Sequence, residues 1–342
     1  MDELRTGVLL INLGSPEAPT PGAVRRFLRE FLGDPRVLDM PAPARWLLLN
    51  AVILPLRPRR SARAYRKIWL PQGAPLLVHG QALREAVAAA LGSPYVVELA
   101  MRYGAPSIRS ALQRLCALDV ARILILPLFP QYSAATTGSA LERVEAEIDR
   151  RPEIPPIEVL PAFYEEPRFI AAWTELARPE LESFRPDFVL FSYHGLPERQ
   201  VKAADPSGSR CLADAGCCDA IEEANRDCYR AQCFATTRAL VADLGLAPTH
   251  HTTAFQSRLG RTPWIGPHTD LLLPELAAAG HRRLAVLCPA FVADCLETLE
   301  EIGIRARQRW LELGGEEFRL VPSLNASPAW VEAVAQRVRT RA

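Results

Sequence analysis

The apolar run Phe188-Val189-Leu190-Phe191 leads through Ser192 into Tyr193-His194-Gly195 and then Leu196-Pro197. Such a run reads as a buried parallel strand, and open α/β sheets bind ligands beyond the carboxyl ends of their strands. An isolated histidine is most often a structural residue, but at such an edge the imidazole of His194 can accept a proton or a metal ion near neutral pH. A second apolar strand, Leu284 to Leu287, feeds Cys288-Pro289-Ala290-Phe291-Val292-Ala293-Asp294-Cys295-Leu296-Glu297. On a helix beginning near Phe291, Asp294, Glu297 and Glu301 fall at i, i+3 and i+7, on one face. A carboxylate stripe is commonly solvated surface; beside a strand that feeds a ligand edge it is a candidate path for a hydrated dication. His194 and Glu297 supply one nitrogen and one oxygen, enough to hold ferrous iron weakly and release it. A closed structural zinc site would want four ligands.

Apolar strands alternating with helical patterns must position these groups. The first half offers Val8 to Leu13, Val96 to Met101, Ile123 to Leu126 and Ile157 to Leu160. The second offers Phe188 to Tyr193, Thr252 to Phe255, Leu284 to Leu287 and Phe318 to Val321. Pro127 and Phe129 are separated from Pro289 and Phe291 by the same interval, and Arg102-Tyr103-Gly104 answers Arg258-Leu259-Gly260, which points to duplication. The fold class expected is α/β: two similar Rossmann-like domains, 1–162 and 163–342, whose parallel sheets face a cleft. Loops after the strands would line it, with Leu13-Gly14-Ser15-Pro16, Arg102-Tyr103-Gly104 and Pro130-Gln131-Tyr132-Ser133 on one side and His194, Gln256-Ser257-Arg258 and Glu297 on the other. No G-x-G-x-x-G fingerprint and no Walker-type Gly-Lys-Ser/Thr occurs, so nucleotide chemistry is set aside.

A chain of 342 residues, 49% hydrophobic, has the length for two cored domains. With 40 basic and 39 acidic residues it lacks the bulk charge of a nucleic-acid binder. Met1-Asp2-Glu3-Leu4-Arg5 does not open a signal peptide, which leaves the cytoplasm as the expected compartment. The apolar stretch Trp46 to Leu56 is too short to span a bilayer, which takes about 20 helical residues. It is followed at once by Arg57, Arg59, Arg60, Arg63, Arg66 and Lys67. Two readings stand: an interfacial segment meeting anionic headgroups on the inner face of the plasma membrane, or a core helix with a solvated basic flank. Five of the eight cysteines, Cys211, Cys217, Cys218, Cys228 and Cys233, crowd into one stretch. In a reducing compartment that density points to an iron-sulfur cluster, a structural zinc or a redox pair, and there is no C-x-x-C of the usual zinc kind.

Six segments in order, GVLLINLGSP (7–16), AMRYGAPSI (100–108), LPLFPQYSAATTGS (126–139), SYHGLP (192–197), FQSRLGRTPWIGPHTD (255–270) and PAFVADCLETLEEI (289–302), resemble the ferrochelatase family across nearly the whole chain. The resemblance implies a class II chelatase-like fold without a nucleotide, and an enzyme that inserts ferrous iron into protoporphyrin IX to form protohaem with release of two protons. It implies that His194 and Glu297 are the metal-site residues, with Asp294 and Glu301 as a relay. Leu13, Arg57, Tyr65, Arg102 and Tyr132 would lie around the macrocycle or its propionates, Arg57 and Tyr65 on a lip at about 41–67; Leu13, Ile125 and Phe129 would suit its faces, and each is equally at home as ordinary core. Leu13, where the coproporphyrin-using branch carries Tyr, favours protoporphyrin. The sequence departs from the family pattern at Cys295, where many members carry a second His, and at Ala74, where Ser is frequent. Some bacterial members carry a cysteine-rich insertion, here about 205–233, that holds a 2Fe-2S cluster. That implies Cys211, Cys217, Cys218 and Cys228 as ligands with Cys233 spare. The rival readings are a related tetrapyrrole chelatase using another divalent metal, and a non-catalytic porphyrin or haem carrier; the carboxylate stripe argues against the carrier.

Overall fold

The computed structural model describes residues 4–260 and 262–341. Met1–Glu3, where the segment read against a leader begins, Arg261 inside the 255–270 motif, and Ala342 at the end of the second expected domain lie outside the described residues.

All eight expected strands form. β1 (Thr6–Gly14), β2 (Tyr95–Tyr103), β3 (Arg122–Pro127) and β4 (Ile157–Val159) make one sheet in the order β2-β1-β3-β4. β5 (Phe188–His194), β6 (His251–Gln256), β7 (Arg283–Leu287) and β8 (Glu317–Leu320) make a second in the order β6-β5-β7-β8. Every pairing is parallel, and the two sheets share one strand order, as a duplicated chain requires. The central strands β1 and β5 are buried almost throughout, which is why they are continuous apolar runs with no polar alternation. Gly14, at the end of β1, has φ +116°. A Cβ there would lie 1.9 Å from the Tyr103 carbonyl oxygen, so the close approach of β1 and β2 admits no side chain.

One compact unit holds the residues up to Phe129, Ala134–Ala162 and the chain from Val331 onward; the other holds Pro130–Ser133 and Phe163–Trp330. The last helix, Pro328–Arg339, thus returns for the most part to the first unit. Leu9, Ile11, Ile123 and Ile125 pack with Ile108 and Leu112 in the first core. Leu190, Leu284, Val286 and Trp310 share the second. Each such side chain contributes roughly 1.5–3 kcal/mol by leaving water.

The carboxylate stripe is built differently from expectation. No α-helix begins near Phe291; a π-helix runs Glu297–Ala306, and Asp294 lies before it. With bonds from i to i+5, a π-helix has about 4.4 residues per turn, so residues four apart stack almost directly. Glu297 and Glu301 therefore share a face, while Asp294 is released from it.

The basic-apolar stretch is a continuous helical run, Ala42–Leu47, then π-helical Leu48–Ile53, then Leu54–Ile68. Leu49, Leu54, Pro58, Ala62, Tyr65 and Ile68 are buried, and the run packs on the helix Pro21–Gly33. Its other side exposes Trp46 (66%), Leu47 (59%), Val52 (47%) and Leu56 (71%). Among the described residues no helix is long and apolar enough to cross a membrane.

Candidate functional site

His194 closes β5 in register with Gln256 at the end of β6, and the next backbone N–H, of Gly195, donates to the Gln256 carbonyl at 2.8 Å. A Cβ on Gly195 would fall 2.8 Å from that oxygen, so the residue after the histidine must be glycine if the two strand ends are to stay this close. The His194 Nδ1 lies 2.6 Å from the Gly195 carbonyl oxygen. With Nδ1–H donating there, Nε2 keeps its lone pair free for a proton or a metal. The imidazole is half-buried and meets Phe291 edge-on, with ring centroids 6.4 Å apart.

Gln256 braces the assembly. Its Oε1 accepts from the Ser192 hydroxyl at 2.8 Å, and its Nε2 donates to the Glu297 carbonyl at 2.9 Å, joining β5, β6 and the first residue of the π-helix. Glu301 is fixed from the same side: its carboxylate accepts from Ser257 N at 2.9 Å and Ser257 Oγ at 2.6 Å. The Cys295 thiol bonds to the Glu297 carboxylate; burial first, and then that negative charge, push its pKa well up and keep it protonated. Asp294 belongs elsewhere. Its carboxylate accepts from Thr298 Oγ1 at 3.0 Å, Ser323 N at 3.3 Å and Asn325 Nδ2 at 2.8 Å, and so pins the segment after β8. Among the described residues no three His, Cys, Asp or Glu side chains converge to cage one ion.

Residues expected around the macrocycle divide between the units. In the first, Leu13 is half-buried at the end of β1, while Ile125 is wholly inside the core and Phe129 packs against that core. Tyr65 is buried, edge-on to Trp69. Arg57 is half-buried and makes no ion pair among the described residues; burial, with Arg60 beside it, lowers its pKa. A cation so placed gains from an anionic partner. Arg102 already has partners, donating to Asp34 at 2.7 Å and to Ser139 Oγ at 2.7 Å. Tyr103 and Ser139 also donate to Asp34, at 2.8 and 2.6 Å. Tyr132, by contrast, belongs to the second unit, where its N–H donates to Gln232 Oε1 at 2.6 Å.

Burial alone would raise the pKa of Asp34, but the bonds from Ser139, Arg36 N and Tyr103 and the charge of Arg102 outweigh it and hold the carboxyl low. Asp34→Ala leaves Arg102 uncompensated and is expected to cost about 3–5 kcal/mol, seen as a lower denaturation midpoint. Because the folded pKa lies below the unfolded one, this stability is complete above about pH 4 and is lost as pH falls through the folded value. An unchanged midpoint for the variant at pH 7 would remove the network from the account.

In the cysteine-rich stretch, the Asp205 carboxylate accepts from Ser207 Oγ, Ser207 N, Arg210 N and Cys211 N, all within 2.7–2.9 Å, and these bonds hold its pKa far down. Buried Asn225 donates to the Cys217 and Ala220 carbonyls. Four sulfurs gather. Cys211 and Cys228 lie 3.9 Å apart and Cys217 and Cys218 3.6 Å apart. A thiol hydrogen bond from Cys228 draws Cys211 down, and Cys218 in turn donates to Cys228. Cys233 is fully buried and belongs to neither of these pairs. Two sulfurs on one tetrahedral metal, with bonds of about 2.3 Å, stand about 3.8 Å apart. The spacing within each pair is therefore that of two ligands on one metal.

The sequence model of the ferrochelatase family matches residues 5–342. The chain belongs to the ferrochelatase family. It is 49% identical over 335 residues to a ferrochelatase of Coxiella burnetii (strain CbuK_Q154), covering 98% of this chain and 93% of that one. It is 47% identical over 332 residues to a ferrochelatase of Legionella pneumophila (strain Corby), covering 97% and 98%. Among solved structures it is similar in fold to SirB from Bacillus subtilis with Fe3+ (TM-score 0.52, 13% identity, 98% and 95% covered). It is likewise similar to the sirohydrochlorin chelatase SirB from Bacillus subtilis subspecies spizizenii in complex with cobalt (TM-score 0.53, 11% identity, 98% and 94% covered). This is the class II chelatase fold. As a ferrochelatase, the chain is a lyase that inserts ferrous iron into protoporphyrin in the synthesis of haem.

Sequence reasoning missed several residues of this ferrochelatase. Asp205-Pro206-Ser207-Gly208 carries an Asx-turn signature that could have flagged Asp205 as the organiser of the loop. Tyr229, whose hydroxyl donates to the His194 carbonyl at 2.9 Å, and Arg230, which reaches the sulfurs of Cys217 and Cys218, gave no local signal. Their contacts are long-range.

Proposed function

We propose that iron insertion by this chain runs through His194 and Glu297, with Glu301 behind Glu297. Metallation requires a pyrrole nitrogen lone pair to leave the porphyrin plane and two N–H protons to be taken up. The His194 Nε2, freed by the Nδ1 bond to the Gly195 carbonyl, accepts a proton. Glu297 meets the incoming ferrous ion, and Glu301, stacked one π-turn on and oriented by Ser257, offers the next carboxylate. Two donors without a cage suit a metal that must leave with the product. A protein surface that fits the bent macrocycle better than the flat one lowers the barrier by differential binding.

The observation that carries this reading is the arrangement at the carboxyl ends of β5 and β6 and the start of the π-helix, where Gln256 ties His194's strand to Glu297. Anaerobic conversion of ferrous iron and protoporphyrin IX, followed by loss of porphyrin fluorescence in His194 and Glu297 variants, separates it from a carrier role. A carrier would bind porphyrin and yield no protohaem.

Cys211, Cys217, Cys218 and Cys228 would hold the 2Fe-2S cluster, with Cys233 as the spare. When bound, such a cluster supplies one-electron redox chemistry and cross-links a loop poor in apolar residues. The protein's own part is to preset the loop: Asp205 fixes the backbone at Cys211, and Asn225 fixes it at Cys217.

The 42–68 run supports peripheral contact with the cytoplasmic leaflet of the plasma membrane, because its outer side combines exposed apolar side chains with a basic flank. Replacing Trp46, Leu47 and Leu56 together by Ser leaves the core-facing Leu49 and Leu54 intact. It is expected to lower partition onto anionic vesicles by at least about tenfold, since each apolar side chain is worth roughly 1.5–3 kcal/mol on burial. Vesicle sedimentation measures it, and undiminished binding would return the stretch to the core alone.

A further inference from the structure

Arg230 sits in the first turn of the helix Tyr229–Leu244, two residues beyond Cys228. Its Nη1 donates to the Cys218 sulfur at 3.0 Å and reaches the Cys217 sulfur at 3.8 Å. Its Nε donates to the Gly266 carbonyl at 3.2 Å, and its guanidinium lies 4.6 Å from the centroid of Phe234. The loop so held is stitched to both site strands: Ile265 N donates to the Leu196 carbonyl, just after His194, and Phe255 N in β6 donates to the Pro267 carbonyl. Next to Arg230, Tyr229 holds the carbonyl of His194 itself. One cation thus touches the sulfurs of one pair at one end and the loop beside the iron-inserting histidine at the other.

We propose that Arg230 is a positioning residue that sets the reduction potential of the cysteine centre and ties that centre to the loop 263–268. The proposal rests on the four-cysteine reading above. A reduced cluster carries one more negative charge than an oxidised one, so a cation bonded to its thiolate sulfurs stabilises the reduced form and raises the potential. Arg238 is an internal control: it donates to the Cys218 carbonyl at 2.8 Å and, among the described residues, is bonded to no sulfur.

The experiment is a redox titration of the intact, cluster-loaded protein followed by visible absorption, with hydrogen exchange on the same samples. Iron and acid-labile sulfide in the wild type are measured first, and their absence overturns the four-cysteine reading together with this proposal. With cluster present, Arg230→Gln is expected to shift the midpoint potential to more negative values at undiminished iron and sulfide, and Arg238→Gln to shift it less. Arg230→Lys keeps the charge but cannot reproduce the fork, so it is expected to retain more of the potential while residues 263–268 exchange faster, as they do in Arg230→Gln. A wild-type potential in Arg230→Gln overturns the tuning role. If that variant assembles no cluster, Arg230→Lys decides, and unchanged protection of 263–268 in it overturns the tie.

Discussion

His194→Ala and Glu297→Gln are each expected to lower iron insertion by about 10²–10⁴-fold while porphyrin affinity changes only a few-fold. The asymmetry follows from where each group acts. A positioned acid or base typically contributes that range, and it acts on a proton that moves only as the metal arrives. An interaction realised in the transition state and not in the ground state lowers kcat and leaves binding alone. Glu297→Gln keeps the backbone carbonyl that accepts from Gln256 Nε2, so the loss reports the carboxylate and not a collapsed π-helix. Steady-state kinetics with ferrous iron, beside fluorescence titration of protoporphyrin IX, provide both numbers. Turnover within threefold of wild type in either variant would remove that residue from the site, and a loss confined to KM would make it a binding group.

The second large effect is expected at the cysteines. Changing Cys211, Cys217, Cys218 or Cys228 singly to Ser should abolish the iron and sulfide content and the visible bands, because each pair of sulfurs stands at the spacing of two ligands on one metal. The loop from 205 to 227 offers little apolar surface, so ligation must supply much of its ordering. Loss of the centre should therefore also raise proteolysis within that stretch. Cys233→Ser should keep the colour, since its sulfur belongs to neither pair. Iron, sulfide and zinc analysis of the five variants decides. Zinc in place of iron, or a full complement in the Cys211 variant, would defeat the assignment.

How far the sequence reaches depends on the range of the interaction. The eight strands were legible because a strand buried on both faces can hardly be anything but an apolar run, and the common strand order was foreshadowed by the repeated interval between Pro127 and Pro289. The place of His194 at the end of β5 was legible because a ring and a glycine follow such a run. The error at Asp294 has a physical cause: i, i+3, i+7 counting assumes an α-helix, and the π-helix that starts at Glu297 changes which side chains stack. The Arg102–Asp34 pair was not legible because Asp34 lies far away in the chain and shows no pattern relating the two. Ile125 stood open between macrocycle face and core because a core residue and a pocket wall have the same composition, and the fold places it in the core. Arg230 and Tyr229 could not have been found this way, since their partners meet them only when the chain has folded.

The exposed side of the 42–68 run also bears on how the protein behaves once taken from the cell. Four large apolar side chains exposed along one helical run are a liability in plain buffer, where the non-aqueous surface on offer is another copy of the same patch. Self-association in a detergent-free preparation would then be a property of the solvent and not of the enzyme. It would grow with protein concentration and dissolve when a lipid surface competes for the same residues. An oligomeric state measured without lipid would count molecules that have taken one another for a bilayer.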